Sequence, residues 1–237
     1  SDRSLAAENA RNKLVGDWIA KLSKIPSKGL SKTDYLTQKI VLSSAKYSHA
    51  AAKFGFGDAG YGSPNPYIIS QLTGSYVGFP DFMASQHPVK TKDDADGWIS
   101  RLHGFAKQLK DETARSISDA KKGIVPPKFI LETSLKQLHA SYDDKNPVLV
   151  EILAKKAKEA GLDANAYKAK AQAVYNGEIL PAYKNIIDTF DGFLKTATMD
   201  AGVWKLPKGN EYYKACLAYW TTTNKTPDEV HEMGKAL

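Results

Sequence analysis

The sequence predicts an all-α protein, an irregular array of about seven to nine helices joined by long loops that contain glycine and proline. Three observations lead to this fold class. Apolar residues recur at spacings of three and four through most of the 237 residues, which is the period of an amphipathic helix. Residues typical of helix starts precede several of these segments. No segment alternates apolar and polar residues between hairpin turns, so a sheet is not expected.

Two amphipathic helices are predicted at the beginning of the chain. The first runs from Leu5 to Leu22, where apolar residues such as Trp18 fall on one face and charged residues lie elsewhere. The second follows Ser31, because a serine with Asp34 three residues later resembles a capping box.

A glycine-dense stretch, KFGFGDAGYGSPNP at residues 53–66, follows the second helix. Its glycines are Gly55, Gly57, Gly60 and Gly62, and its aromatic residues are Phe54, Phe56 and Tyr61. Two interpretations stay open, a long loop held to the core by its aromatic rings and a loop that lines a functional site. A phosphate-binding loop is disfavoured, because no strand precedes it and no helix start with Lys and Ser or Thr follows it. The next stretch, residues 67–83, is too broken by glycine and Pro80 for a long helix.

The middle of the chain carries clear start and stop signals. Thr91 and Asp94 predict the cap of a helix that stops near Gly123, and a soft domain boundary is placed at residues 123–127. Further helices are predicted around residues 129–138 and 149–153. A long helical stretch from residue 164 to about residue 196 contains Pro181, which predicts a kink or break close to Leu180.

The last segment, residues 205–237, begins with a Pro/Gly turn and ends in a helix. Thr226, Pro227 and Glu229 predict a capped helix start. No stop signal follows the last apolar position. We therefore expect residues 1–237 to be a single helical domain that is a piece of a longer protein.

Charge and hydropathy disfavour two classes of partner. The formal charge is +7, but the lysines are interleaved with acids, and only four of the 33 basic residues are arginine. A nucleic-acid-binding protein would be expected to carry a basic stripe with arginine or aromatic residues, so no nucleic-acid partner is predicted. No apolar run approaches the roughly 18 residues of a membrane span, so no transmembrane segment is predicted.

No residue set in this sequence predicts catalysis or metal binding by the chain itself. The pair His231 and Glu232 begins the zinc motif His-Glu-x-x-His, but Lys235 stands where the second histidine belongs. A serine nucleophile elbow is missing. Cys216 lies in a helical apolar pattern and is interpreted as a small buried residue. We predict no catalytic residue, metal ligand or cofactor in this chain.

Hydroxyl groups near the end of the chain are the best candidates for a binding site. Tyr212, Tyr213, Thr222 and Thr223 can donate hydrogen bonds to a carbonyl or carboxylate, as substrate-orienting groups do. We predict that these four residues contact substrate. The alternative is that one tyrosine packs in the core and the threonines end the helix.

Three ordered stretches give a family resemblance: PNPYIISQLTGSYVGFPDFMASQHPVKTKDDADGWISRL, GIVPPKFIL and GNEYYKACLAYWTTTNKTPDEVHEMG. Together they resemble the amino-terminal half of the bacterial family called domain of unknown function eight hundred eighty-five, over roughly residues 30–237. Members of that family are longer, largely helical, often carry secretory or lipoprotein leaders, and look like zinc-dependent peptidases. Their apparent zinc motif lies in the carboxy-terminal half, and the family's His-x-x-Gly signature maps onto His231 to Gly234.

The resemblance implies that the chain is one wall of the substrate cleft of a zinc-dependent, peptidase-like hydrolase, without its metal ligands. Zn²⁺ and a carboxy-terminal half would belong to the full-length protein, and a peptide would be the substrate. The location implied is the bacterial periplasm or the exterior, with a lipid anchor in some members. The alternative function is a helical binding module of the bacterial envelope that performs no chemistry. A gene that continues beyond residue 237 with a His-Glu pair and a later histidine would favour the hydrolase.

Overall fold

The computed structural model describes residues 2–58 and 64–237, and it confirms the all-α fold class. In these ranges the α-helices are α1 (Leu5–Ser23), α2 (Lys32–Ala52), α3 (Ser75–Gln86), α4 (Lys92–Ala120), α5 (Lys128–Tyr142), α6 (Val148–Glu159), α7 (Ala164–Val174), α8 (Leu180–Leu194), α9 (Gly209–Thr221) and α10 (Pro227–Ala236). A π-helical turn, Tyr175–Ile179, joins α7 to α8, and a 3₁₀ turn, Val203–Lys205, precedes α9. Gly60, Tyr61 and Gly62 of the glycine-dense stretch lie outside the described residues.

The chain divides into two compact units. Unit 1 consists of residues 1–4, 67–121 and 125–199, and unit 2 consists of residues 5–66, 122–124 and 200–237. Unit 1 therefore contains α3 to α8, and unit 2 contains α1, α2, α9 and α10.

Unit 1 is built around the long helix α4, which packs against α3, α6, α7 and α8. The predicted cap is confirmed, because Thr91 and Asp94 form a reciprocal capping box at its start. Apolar residues at helical spacing give α4 a buried face, and the largest of them, Trp98, is fully buried and donates its indole N–H to the Leu149 carbonyl at 3.1 Å. The buried side chains of this face are Ala95, Trp98, Leu102, Phe105, Ala106 and Leu109.

A buried ion pair ties the beginning of the chain to α4 within unit 1. Glu112 is 0% exposed and accepts hydrogen bonds from the Arg3 Nε at 2.9 Å and from the backbone N–H and hydroxyl of Ser75, each at 2.8 Å. The Arg115 guanidinium donates to the Arg3 carbonyl oxygen at 3.2 Å. Burial raises the pKa of Glu112, whereas the hydrogen bonds from Ser75 and the charge of Arg3 lower it. Polar contacts thus fix Arg3 to α4.

The structure locates the irregularity predicted near Leu180 in the π turn of residues 175–179. Pro181 has no N–H to donate to the preceding turn. The N–H of Leu180 bonds to the Tyr175 carbonyl, five residues earlier, so one extra residue is accommodated in the ladder. Helices α7 and α8 consequently continue through the turn, so of the predicted kink or break a break does not occur, and the helix is instead irregular just before Leu180.

Helix α3 forms although its sequence contains Gly78 and Pro80. It is short, with 12 residues, as expected for a broken segment. A proline in a helix interior costs about 3 kcal/mol. Packing offsets this cost, because Tyr76 and Met83 are buried and Phe79 stacks on Phe105 with ring centroids 4.3 Å apart.

In unit 2, α2 packs against both α1 and α9. Ser31 caps α2 by accepting from the Asp34 N–H, but the Asp34 carboxylate accepts from the Ser31 hydroxyl, so the helix start is confirmed without the reciprocal capping box. Thr226 and Glu229 form the predicted capping box at the start of α10. The buried apolar residues of this unit, within the described ranges, are few: Ala51, Ile124, Leu206 and Tyr212.

No helix among the described residues is both long and apolar enough to cross a membrane.

Candidate functional site

A tight turn before α9 sets the position of the two predicted tyrosines. Lys208 adopts left-handed backbone angles, φ 56° and ψ 33°, at the residue before the helix. Gly209 follows, and a Cβ there would lie only 1.9 Å from the Val203 carbonyl oxygen. Only glycine fits this approach without a shift of the backbone. The helix therefore begins directly against the 3₁₀ turn and carries Tyr212 in its first turn.

Tyr212 lies in an aromatic cluster formed with the described part of the glycine-dense stretch. Its ring is 2% exposed and packs edge-on to Phe54, with centroids 5.3 Å apart, and at a tilt to Phe56, at 5.1 Å. Edge-to-face and tilted pairs at these distances are favourable beyond the area that they bury. Tyr212 is therefore the tyrosine of the pair that packs inside, as the alternative interpretation of the sequence expected.

Tyr213 lies on the exposed side of α9 and lines a shallow groove. The groove has a volume of about 300 Å³, and its lining residues are Pro64, Pro66, Val203, Tyr212, Tyr213, Cys216, Leu217 and Trp220. Tyr213 is 49% exposed and Trp220 is 67% exposed. Tyr213, Leu217 and Trp220 are separated by four and three residues, so they follow one stripe along the helix. We call this feature the α9 groove.

Cys216 is half-buried in the wall of the α9 groove. Burial raises the pKa of its thiol, and a hydrogen bond with Tyr212 acts in the opposite direction. A raised pKa keeps the sulfur protonated near neutral pH, which disfavours a nucleophile. Cys216 therefore contributes an apolar surface to the groove.

The structure places Thr222 and Thr223 at the opposite end of α9 from the tyrosines. Thr222 follows Tyr213 by nine positions along α9, a rise of roughly 14 Å at 1.5 Å per residue. Thr222 ends the helix in the left-handed conformation at φ 55°. The Thr223 hydroxyl lies 3.1 Å from the hydroxyl of Thr221 and accepts a hydrogen bond from the Lys225 N–H. The four predicted residues are thus not brought to one point, and the threonine hydroxyls shape the end of the helix.

The family resemblance implies a zinc ion in the full-length protein, with ligands outside this chain. No group of three or more His, Cys, Asp or Glu side chains in residues 2–58 and 64–237 converges to hold a metal. His231 and Glu232 are both exposed on α10, and the Glu232 carboxylate pairs with Lys235 at 3.0 Å. A zinc site requires three or four ligands at about 2.0–2.3 Å, so this pair alone is not one.

The groove contains residues that the sequence did not single out. Trp220 and Leu217 could have been found from their spacing with Tyr213, because positions i, i+4 and i+7 share a helix face. Pro64, Pro66 and Val203 carry no such signal, because only tertiary packing brings them to α9.

The fold and the groove define the chain as a helical protein with an exposed apolar and aromatic groove on one of its units. The family model described as "Bacterial protein of unknown function (DUF885)" matches residues 1–237. The chain belongs to this family, and the resemblance predicted from its sequence is confirmed. No curated protein matches the chain.

A solved structure has the same fold. It is described as the crystal structure of a "putative lipoprotein" from Colwellia psychrerythraea, with a TM-score of 0.91 and 21% sequence identity. The similarity covers 98% of this chain and 41% of that one, so the chain spans less than half the length of the similar protein. At this identity the likeness is evidence for the fold alone.

Proposed function

We propose that this chain is the substrate-binding helical part of a larger peptidase-like hydrolase, and that the α9 groove holds an extended peptide. The metal ligands and the catalytic groups belong to the remainder of the full-length protein. The zinc-dependent activity of that protein is part of the proposal and rests on the family resemblance of the sequence motifs.

The observation that carries the proposal is the composition of the α9 groove. A ligand site combines an apolar lining with a few polar groups, and tyrosine and tryptophan are the residues that most often dominate binding energy at such surfaces. Trp220 offers a large ring at 67% exposure, and Tyr213 offers a ring with a hydroxyl at its edge. Apolar side chains of a peptide can pack on Trp220 and Leu217 while the Tyr213 hydroxyl donates to a peptide carbonyl.

The volume of the α9 groove limits what it can take. About 300 Å³ is at the lower end of the range for small-molecule sites, so the groove fits one or two side chains and not a folded domain. A short stretch of unfolded peptide meets this limit.

A location in the bacterial envelope is also part of the proposal. It is supported by the name of the structurally similar Colwellia psychrerythraea protein, a "putative lipoprotein". Labelling of the full-length protein with a lipid precursor in its native host, followed by fractionation, tests this point. Recovery in the cytosolic fraction without label would contradict it.

Groove binding is tested with residues 1–237 and a peptide capped at both ends, acetyl-Ala-Leu-Ala-Phe-Ala-amide, by isothermal titration calorimetry. Trp220→Ala should weaken binding at least tenfold, because truncating a ring at a binding hot spot costs about 2 kcal/mol or more. The matched control is Trp18→Ala, which removes another exposed tryptophan of unit 2 outside the groove. Equal affinities of the two variants would contradict the proposal.

The role of Tyr213 is tested in the full-length protein. Tyr213→Phe removes only the hydroxyl, so it should lower the rate of peptide hydrolysis and leave the melting temperature unchanged. An unchanged rate would show that the hydroxyl does not orient substrate.

A second candidate function is a binding module of the envelope without catalysis. The similarity to a protein named as a lipoprotein is the observation in its favour. The two candidates differ in the full-length protein, which binds peptides in both cases but hydrolyses them only in the first.

A further inference from the structure

Unit 2 contains a second cavity, whose lining residues differ from those of the α9 groove. Its volume is about 470 Å³, and its lining residues are Ala50, Lys53, Phe54, Phe56, Lys122, Ile124, Pro207 and Lys208. Phe54 and Phe56 line this cavity and also contact Tyr212, which lines the α9 groove. We call this cavity the lysine cavity.

The charge of the lysine cavity has one sign. Lys53, Lys122 and Lys208 line it, and none of the described lining residues is an aspartate or a glutamate. The Lys122 Nζ donates to the Gly55 carbonyl oxygen at 2.8 Å, which holds this ammonium group beside the loop that carries both phenylalanines. Lys53 and Lys208 form no ion pair with a carboxylate of the described chain. The ammonium groups of Lys53 and Lys208 at one concave surface favour an anion.

The backbone of Lys208 gives an independent reason to assign a role to its side chain. Its left-handed φ of 56° is a conformation that glycine and asparagine adopt readily and that other residues adopt at an energetic cost. A lysine that is kept in such a conformation at the rim of a cavity suggests a functional use of the ammonium group.

The rest of the lining selects the kind of anion. Phe54, Phe56, Ile124 and Pro207 form an apolar wall, and ligand cavities of about 300–1,000 Å³ take small organic molecules. An inorganic anion would leave this wall without contacts, whereas an aromatic ring can stack on the phenylalanines. We infer that the lysine cavity binds a small organic carboxylate that carries an aromatic or branched apolar group. This site is separate from the α9 groove and does not depend on the proposed hydrolase function.

The probe for the test is 3-phenylpropanoate, titrated into residues 1–237 at about 0.15 M salt and followed by amide chemical shifts. The neutral 3-phenylpropanamide has almost the same shape and no charge. The carboxylate should bind at least fivefold more tightly than the amide, with shifts that cluster at the lining residues. Equal affinities, or shifts elsewhere in the chain, would overturn the assignment.

Two variants each remove one positive charge from the lining of the cavity. Lys53→Gln leaves the backbone interactions unchanged. Lys208→Asn introduces a residue that tolerates the left-handed backbone conformation at this position. Each should weaken binding of 3-phenylpropanoate about fivefold, the ratio that corresponds to about 1 kcal/mol between unit charges 4 Å apart in water. The matched control is Lys28→Gln, an exposed lysine of unit 2 outside the cavity. If Lys28→Gln weakens the binding of 3-phenylpropanoate as much as the two cavity variants do, the loss of affinity comes from the net charge of the protein, and the proposed site is refuted.

The melting temperature of Lys208→Asn separates structural from functional roles. Relief of the left-handed lysine should leave the melting temperature equal or higher while binding falls, which is the outcome expected for a residue kept for its charge. A lower melting temperature with unchanged binding would show that Lys208 serves the turn alone.

A peptide that ends in phenylalanine carries the same carboxylate and ring, so Ala-Ala-Phe is titrated in parallel. Tighter binding than that of 3-phenylpropanoate assigns the cavity to peptide termini, and weaker binding assigns it to free acids. Failure of both ligands to bind would overturn the site and leave the capped-peptide test of the α9 groove unaffected.

Discussion

Replacement of Glu112 by glutamine should be among the most destabilising single changes of polar residues in unit 1. The carboxylate accepts three hydrogen bonds, one from Arg3 and two from Ser75, and its side chain is 1% exposed. An amide has one oxygen, so at least one of these donors would face the new NH₂ group. A buried donor left without an acceptor costs about 1–3 kcal/mol.

The charge adds to this cost. The Arg3 side chain is only 10% exposed, so Glu112→Gln removes a charged partner from a largely buried guanidinium. Breaking a buried pair by removal of one partner costs about 3–5 kcal/mol in total, and we expect a value in this range for the free energy of unfolding.

Urea denaturation followed by circular dichroism measures the effect. The matched control is Glu132→Gln on α5, whose carboxylate is 54% exposed and lies 3.8 Å from the Lys128 ammonium. A surface pair of this kind contributes about 0–1 kcal/mol, so the control should barely change the midpoint. The reasoning would be refuted if both variants shifted the midpoint equally.

Two further predictions concern zinc and pH. Residues 1–237 alone should bind no stoichiometric zinc in a metal analysis and hydrolyse no peptide in a peptidase assay. Tight binding of zinc together with peptide hydrolysis would contradict the assignment of the zinc ligands to the rest of the full-length protein. Burial, with a smaller effect from the charge of Lys53, lowers the pKa of His49 below its ordinary value of about 6.5. The unfolded chain therefore binds more protons than the folded protein below about pH 6.5, so the stability of the fold should fall as the pH drops below this value. His49→Gln should make the melting temperature depend less on pH between pH 7.5 and 5.5. An unchanged slope in this variant would rule His49 out as the source of the dependence.

Local signals predicted the helices well because they act over a few residues. The caps at Thr91 and Thr226 depend on one hydroxyl and a carboxylate three residues later, and both are formed. The buried face of α4 follows from spacing alone, since Trp98, Leu102 and Phe105 can only share one side of a helix.

The candidate site was less predictable because it depends on contacts between distant segments. Which tyrosine of the pair packs inside is decided by Phe54 and Phe56, more than 150 residues earlier in the chain. The lysine cavity likewise draws Lys53, Lys122 and Lys208 from three segments, and no spacing rule connects them. The sequence predicted an irregularity close to Pro181 but not its form. The π turn depends on the packing that keeps the buried residues of the helix facing the core of unit 1.

The composition of unit 2 from separate segments has a consequence for synthesis on the ribosome. Helix α2 ends at Ala52, but its partner α9 begins only at Gly209, after about 160 further residues. At translation rates of about 5–20 residues per second, α2 waits roughly 8–30 s for that partner. Unit 1, whose helices lie in residues 67–199, can fold during this time. Newly made chains therefore present the apolar side of α2 to chaperones long before the aromatic cluster around Tyr212 can close.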